Sequence, residues 1–223
     1  MIIDMKKYLL FDLDGTITDS AEGIVHSVAY ALERMGIQEE DKSRLTRFVG
    51  PPLRDSFMEY YGFTEEQAEQ AVWLYREYYE EKGIFENKVY EGIEHLLDAC
   101  CRAGRQIILA TAKPQNYAEQ ILDYFKLRQY FADVQGSSMD KSKVTKTDVI
   151  RCALADNRIE HLDEAVMIGD RKHDVEGARA CGLKCAGVLF GYGGREELEQ
   201  CKAEWILDTV EDLEAFLLES DSR

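Results

Sequence analysis

Short apolar runs at residues 8–13, 106–110, 131–134, 165–168 and 184–189 alternate with longer stretches whose apolar positions recur at helical spacing. Such alternation predicts βαβ units and a mostly parallel sheet covered by helices on both faces. Residues 20–85 break the rhythm, because no strand pattern occurs there. Ile24, Val28, Ala31 and Leu32 share a helical face that ends at Gly36, and a Glu-rich stretch over 64–82 ends at Gly83. Thr64 and Gln67 have the spacing of a capping box. Gly50-Pro51-Pro52 must interrupt any helix, since neither proline donates a backbone hydrogen bond. The expectation is an α/β core formed by residues 1–18 and 86–223, with an all-helical insertion over 19–85 after the first strand. Further helices are expected over 93–103, from about Thr147, and over 210–218, before a polar tail at 219–223.

Charge and composition narrow the partners. With 43 acidic against 27 basic residues the net charge is -16, which argues against a surface for nucleic-acid phosphates or anionic lipid. An apolar content of 45% and three prolines fit a packed globular chain. No segment reaches the roughly 20 apolar residues that span a bilayer. Met1 to Lys7 lacks the apolar core of a secretory signal, so a cytoplasmic protein with reduced, mostly buried cysteines is expected. The four histidines lack metal-ligand spacing, which disfavours zinc.

The first run ends in Phe11-Asp12-Leu13-Asp14-Gly15-Thr16, so two acids project to one side just where the apolar run stops. The fourth ends similarly, in Ile168-Gly169-Asp170-Arg171-Lys172-His173-Asp174. Open parallel sheets bind ligands beyond the carboxyl ends of their strands, where the winding reverses. If runs one and four are neighbours there, four carboxylates converge. Two unit charges roughly 4 Å apart repel by about 4 kcal/mol at an effective dielectric of about 20, and a cation removes that conflict. Oxygen-only ligands suit Mg2+ better than zinc. Phosphate fits as well. The second strand ends in Ala110-Thr111-Ala112-Lys113-Pro114, a hydroxyl and backbone amides at an expected helix start. Thr111 reads equally as an N-cap, and Lys113 as a phosphate ligand or an exposed helix-start lysine. Lys141, Lys143 and Lys146 precede the next helix, and one ammonium there would balance aspartates and phosphate.

In this order, DLDGT, the threonine of TAKP, a lysine before a helix and GDRKHD, the chain resembles the haloacid dehalogenase superfamily of aspartyl-phosphate phosphatases over nearly its whole length. The resemblance implies a Rossmann-like, doubly wound parallel core with a small helical cap. It implies Asp12 as nucleophile, and Asp14 as general acid and then general base. Thr111 and the Ala112 amide would bind the transferring phosphoryl group, and Lys146 would stabilise its charge and hold Asp12. Mg2+ would be bound by Asp12, the Asp14 backbone carbonyl and Asp170, with Asp174 touching it through water or orienting its neighbours. The family's lysine is often followed by proline, whereas Thr147 follows Lys146, so Lys141 and Lys143 remain open. Arg47, Gly50, Pro51 and Leu53 surround the break in the cap and are the implied substrate-selecting residues. Tyr60, Tyr61, Trp73, Tyr75, Tyr78 and Tyr79 fall at helical spacing, which favours packing over base stacking.

TDSAEGI, FVGPPL, TAKP and GVLFGYGGREEL look most like the phosphoglycolate-phosphatase-like group that includes bacterial 5′-nucleotidases. The function expected is Mg2+-dependent hydrolysis of a small phosphorylated metabolite, either phosphoglycolate or a nucleoside 5′-monophosphate. A sugar phosphomutase or a pyrophosphatase would use the same core motifs. A dehalogenase would not need Asp14. A phosphonate hydrolase would need a cap lysine, for which Lys42 and Lys82 are available. A phospho-accepting signalling module gathers similar residues but lacks the helical insertion.

Overall fold

The computed structural model describes residues 6–138, 143 and 145–218. The chain divides into two compact units, Met1–Thr18 with Val89–Arg223, and Asp19–Lys88. In chain order the elements begin with β1 (Tyr8–Phe11), β2 (Thr18–Asp19), α1 (Ala21–Arg34), α2 (Leu53–Tyr61), α3 (Glu65–Tyr78) and β3 (Lys88–Val89). They continue with α4 (Ile93–Arg102), β4 (Gln106–Pro114), α5 (Gln115–Tyr124), β5 (Phe131–Ser137) and α6 (Lys146–Asp156). The last are β6 (Ala165–Gly169), α7 (Lys172–Ala180), β7 (Lys184–Val188), α8 (Arg195–Gln200), β8 (Trp205–Leu207) and α9 (Val210–Leu218).

The larger unit is a six-stranded sheet in the order β5-β4-β1-β6-β7-β8, and every pairing is parallel. This is the doubly wound fold expected from the alternating pattern. β1 lies between β4 and β6, and the order turns around there, so its carboxyl end opens at the switch point. Being central, β1 is apolar on both sides: Leu9, Leu10 and Phe11 are fully buried. Leu10, Ile108, Ala110, Met167 and Cys185 form one face of the core with Val149, Ile150 and Ala153 of α6 and Val175 and Ala178 of α7. Each such large aliphatic side chain contributes roughly 1.5–3 kcal/mol by leaving water.

Several details differ from the sequence expectation. β8 was not foreseen, since three half-buried residues at a sheet edge carry no periodic signal. β4 runs on through Thr111 to Pro114 instead of stopping at Ala110, and its register against β5 shifts between Ala110 and Pro114. α6 starts at Lys146, one residue early, because Thr145 and Asp148 form a reciprocal capping box. All six cysteines are free, yet Cys100 and Cys185 alone are buried. No helix among the described residues is long and apolar enough to cross a membrane.

The smaller unit is helical. α1 packs on α3 and on a 3-10 turn, Lys42–Phe48, and α2 packs on α3. Its core includes Phe48 and Phe57, whose ring centroids are 4.9 Å apart, and the stacked Tyr75 and Tyr79 at 5.2 Å. The Thr64–Gln67 capping box opens α3 as expected. Trp73 does not pack: it is 60% exposed, because the buried stripe of α3 is Ala68, Ala71, Leu74 and Tyr75. α2 starts at Leu53, directly after the Gly-Pro-Pro break, with Pro52 as its N-cap.

Candidate active site

Ladder hydrogen bonding carries β1 one residue beyond its last buried apolar position. Asp12 N donates to Ile168 O at 2.9 Å, which places Asp12 alongside the end of β6 and hence beside Asp170. The chain then turns tightly, with Gly15 N donating to Thr18 O at 2.8 Å. Gly15 has φ +85°, and a Cβ there would run into the Asp170 carboxylate, so only glycine fits. Asp174 is the third residue of α7, where its Oδ2 accepts from Arg171 N at 3.1 Å and the carboxylate faces the positive end of the helix.

Asp12, Asp170 and Asp174 each offer an oxygen, and the three oxygens lie within 4.8 Å of one another. All three residues are buried. Lys146, at the first position of α6, brings its ammonium to 2.7 Å from Asp12 Oδ1 and 2.8 Å from Asp174 Oδ1. It also donates to Ala110 O at 3.1 Å. The stem of Lys146 crosses Gly177, where any side chain would collide with it. Burial pushes the Asp12 carboxyl up to about 6, since it outweighs the opposing pull of Lys146 while Asp174 adds to the rise. Asp170 is likewise held well above the usual carboxylate range, by burial first and then by the Asp174 and Asp12 carboxylates. Burial works against the Lys146 ammonium, but Asp12 and Asp174 prevail and hold it above the ordinary lysine value.

Three carboxylates against one ammonium leave excess negative charge. Asp170 Oδ2 accepts from Tyr192 N at 2.7 Å, whereas Asp170 Oδ1 is buried without a hydrogen-bond partner among the described residues. An all-oxygen cluster with an orphaned buried acceptor fits a hard divalent cation.

Asp14 lies outside this triad and forms a second buried pair. Lys113 Nζ is 2.8 Å from Asp14 Oδ2. Lys113 is thus 9% exposed, not the solvated helix-start lysine that its position before Pro114 suggests. Thr111 is buried and is not an N-cap, since that position of α5 belongs to Pro114. Its Oγ1 accepts from Lys113 N at 3.2 Å.

Residues 9–188 match the haloacid dehalogenase-like hydrolase family. The chain belongs to that family. This haloacid dehalogenase-like hydrolase is 44% identical over 190 residues to a 5′-nucleotidase of Pseudomonas aeruginosa, covering 85% of this chain and 86% of the relative. It is 38% identical over 198 residues to the tyrosine-protein kinase PtkA of Mycobacterium tuberculosis, covering 88% and 67%. A predicted phosphatase from Clostridium acetobutylicum superposes with a TM-score of 0.93 at 50% identity, covering 97% of this chain and all of that one, 100%. The chain is a hydrolase of the phosphatase type within the family.

The core of this hydrolase therefore assembles Asp12, Asp14, Asp170, Asp174, Thr111 and Lys146 at the carboxyl ends of β1, β4 and β6 and the starts of α6 and α7. Of the alternative lysines, Lys143 instead donates to Gln135 Oε1 at 2.9 Å, and Lys141 lies outside the described residues. Ala112 sits in the extension of β4. Arg47, Gly50, Pro51 and Leu53 belong to the helical unit, where the Arg47 guanidinium lies 4.1 Å from the centroid of the Tyr60 ring.

Two contributors were missed by residue-type reasoning, the Lys113 pairing and the loop after β7. Gly193 lies so close to Asp170 that a Cβ would strike its carbonyl oxygen, and the neighbouring Tyr192 amide binds the Asp170 carboxylate. The glycines of Gly191-Tyr192-Gly193-Gly194 were the available signal, because a backbone that must approach another closely needs them.

Proposed function

We propose that this protein is a Mg2+-dependent phosphomonoesterase acting on a small phosphorylated metabolite through an aspartyl-phosphate intermediate. The reading is carried by the convergence of Asp12, Asp170, Asp174 and Lys146 at the sheet switch point, a buried charge cluster that demands both a cation and an anionic ligand. Asp12 is the nucleophile on phosphorus, and its esterified form divides one hard displacement into two easier ones. Asp14 gives a proton to the leaving oxygen and later takes one from the hydrolytic water. Thr111 Oγ1 and the Ala112 amide hold phosphoryl oxygens, while Lys146 neutralises charge and fixes Asp12. Asp12 and Asp170, with the Asp14 carbonyl, hold Mg2+, and when bound the ion supplies charge neutralisation and orientation of the phosphoryl group. Asp174 serves as orienter, with its Oδ1 facing the Lys146 ammonium at 2.8 Å and its Oδ2 accepting from the Arg171 amide.

The substrate favoured is a nucleoside 5′-monophosphate, on the 44% identity to the Pseudomonas 5′-nucleotidase, ahead of phosphoglycolate. Following the family resemblance, we assign substrate selection to Arg47, Gly50, Pro51 and Leu53 and the role of cap to the helical unit. Lys42 and Lys82 are both exposed, whereas a lysine serving as an imine-forming nucleophile needs desolvation. The test is phosphate release from a panel of nucleoside monophosphates, phosphoglycolate, sugar phosphates and pyrophosphate, with Mg2+ or with chelator. Magnesium-dependent release, greatest for a nucleoside monophosphate, is expected. Release that persists unchanged in chelator would overturn the metal assignment. A second reading is transfer of the phosphoryl group to an acceptor hydroxyl, which the likeness to PtkA favours. It would show as phosphate retained on the acceptor with none set free.

A further inference from the structure

Lys113 has no role in the mechanism above, yet it is buried against the residue assigned to acid and base catalysis. Its placement is built into the fold. The irregular register between β4 and β5 falls between Ala110 and Pro114, and pairing resumes at Pro114 with Ser137. Such irregularities re-aim side chains. Lys113 N is tied to Thr111 Oγ1 at 3.2 Å, and a side chain at Gly136 would press on the Lys113 carbonyl and the Gln115 backbone. A second observation concerns Asp14 itself. Its Oδ2 faces the Lys113 ammonium at 2.8 Å, while its Oδ1 is buried and has no hydrogen-bond partner among the described residues.

We infer that Lys113 is a positioning residue for Asp14: by holding Oδ2 it fixes the carboxyl group and leaves Oδ1 as the atom that handles the proton. In the first half-reaction an Asp12 oxygen bonds to phosphorus, the bond from phosphorus to the leaving oxygen breaks, and the proton on Asp14 Oδ1 passes to that oxygen. In the second, water bonds to phosphorus and loses a proton to Asp14 Oδ1, while the bond from phosphorus to Asp12 breaks. Lys113 itself transfers no proton. This inference rests on the phosphatase mechanism proposed above.

The experiment compares wild type, Lys113→Met, Lys113→Arg and Asp14→Asn on an alkyl phosphomonoester and on p-nitrophenyl phosphate, after melting curves establish that each variant is folded. An alkoxide leaving group needs the acid, whereas p-nitrophenolate leaves without one. The value of kcat/KM reads only the steps through the first phosphoryl transfer. Lys113→Met is expected to lose roughly 10- to 100-fold in kcat/KM on the alkyl ester and clearly less on the aryl ester, below the 10²- to 10⁴-fold typical of removing the acid outright. Lys113→Arg should recover part of the loss, and KM should change little in either variant. An equal loss on both esters, or a raised KM with unchanged kcat, would make Lys113 a phosphate ligand and overturn the inference. So would an unchanged rate in a folded Lys113→Met. Asp14→Asn separates the two levels. If it shows the leaving-group dependence and Lys113→Met does not, the inference about Lys113 alone fails. If Asp14→Asn does not show it either, the acid/base reading of Asp14 fails with it.

Discussion

The core and the helical unit both set acidic side chains against basic ones, but under opposite conditions. At the carboxyl ends of β1, β4 and β6, Asp12, Asp14, Asp170, Asp174, Lys113 and Lys146 are between 0% and 9% exposed. In the helical unit, Arg54 pairs with Glu65 at 3.0 Å with side chains 36% and 76% exposed, and Arg34 meets Glu77 at 3.9 Å with side chains 53% and 36% exposed. Buried charges lose hydration that their mutual attraction repays only when geometry and hydrogen bonding are complete, whereas exposed pairs contribute about 0–1 kcal/mol. The buried set therefore calls for a ligand as explanation and the exposed set does not. The helical unit is instead held by rings such as Phe48, Phe57 and Phe63, whose packing carries no chemical demand.

The largest effect should come from Asp12→Asn. An amide cannot form the phosphorylated intermediate, so turnover should fall at least about a thousandfold with the circular dichroism unchanged. Substantial residual phosphate release would remove Asp12 from its role. Next is Lys146→Met, which leaves Asp12 and Asp174 buried without their common ammonium. Loss of one partner from a buried ionic cluster costs about 3–5 kcal/mol, to be read from denaturant unfolding of the metal-free protein. A cost below about 1 kcal/mol would place the cluster with the surface pairs instead.

Mg2+ should stabilise the folded chain, by about 2.7 kcal/mol when its concentration is a hundred times its dissociation constant. Asp170→Asn should remove most of that shift in Tm, while Glu77→Gln should leave it intact. The pH dependence follows from the raised carboxyls. In the folded chain Asp12 holds its proton up to about 6, above its unfolded value, so folding favours the protonated form. Below the unfolded value both states are protonated and the group contributes nothing. As pH rises from the unfolded value to about 6 the folded metal-free chain is progressively penalised, and above that the penalty is constant. Protons and Mg2+ compete for the same oxygens, so the Mg2+-induced rise in Tm should be larger at about pH 7.5 than at about pH 5. An equal rise at both would place the bound ion away from Asp12 and Asp170.

The sequence made the sheet and most of the carboxylate cluster legible for one physical reason. Apolar runs that stop at an acid mark both the strand and its functional end, as in Phe11-Asp12 and Ile168-Gly169-Asp170. The edge strand β8 was illegible because three half-buried residues leave no alternation to read. The Lys113 pairing depended on a register irregularity between β4 and β5, a tertiary feature without a local signal. Tyr192 escaped notice because it serves through its amide, which every residue but proline possesses. Preferring Lys146 to Lys143 needed the end of β4 in space, since there the ammonium at the start of α6 reaches both Asp12 and Ala110 O.

The smallest predicted effect sharpens the comparison most cheaply. Glu77→Gln removes the carboxylate that faces Arg34 in the helical unit. At 3.9 Å between partly exposed side chains the attraction is weak and screened by salt, so its loss should cost at most about 0.5 kcal/mol. α3 runs on without a break into the π-helical turn Tyr79–Gly83, so Glu77 lies inside a continuous helix and away from its carboxyl end. Neutralising it therefore removes little beyond the weak Arg34 attraction, and the net change should lie near zero. Urea unfolding at low and at high salt checks this, because the small cost should shrink as salt is added. A loss of several kcal/mol that persists at high salt would show that the helical unit, too, relies on a buried ionic contact, and the contrast between the two units would fail.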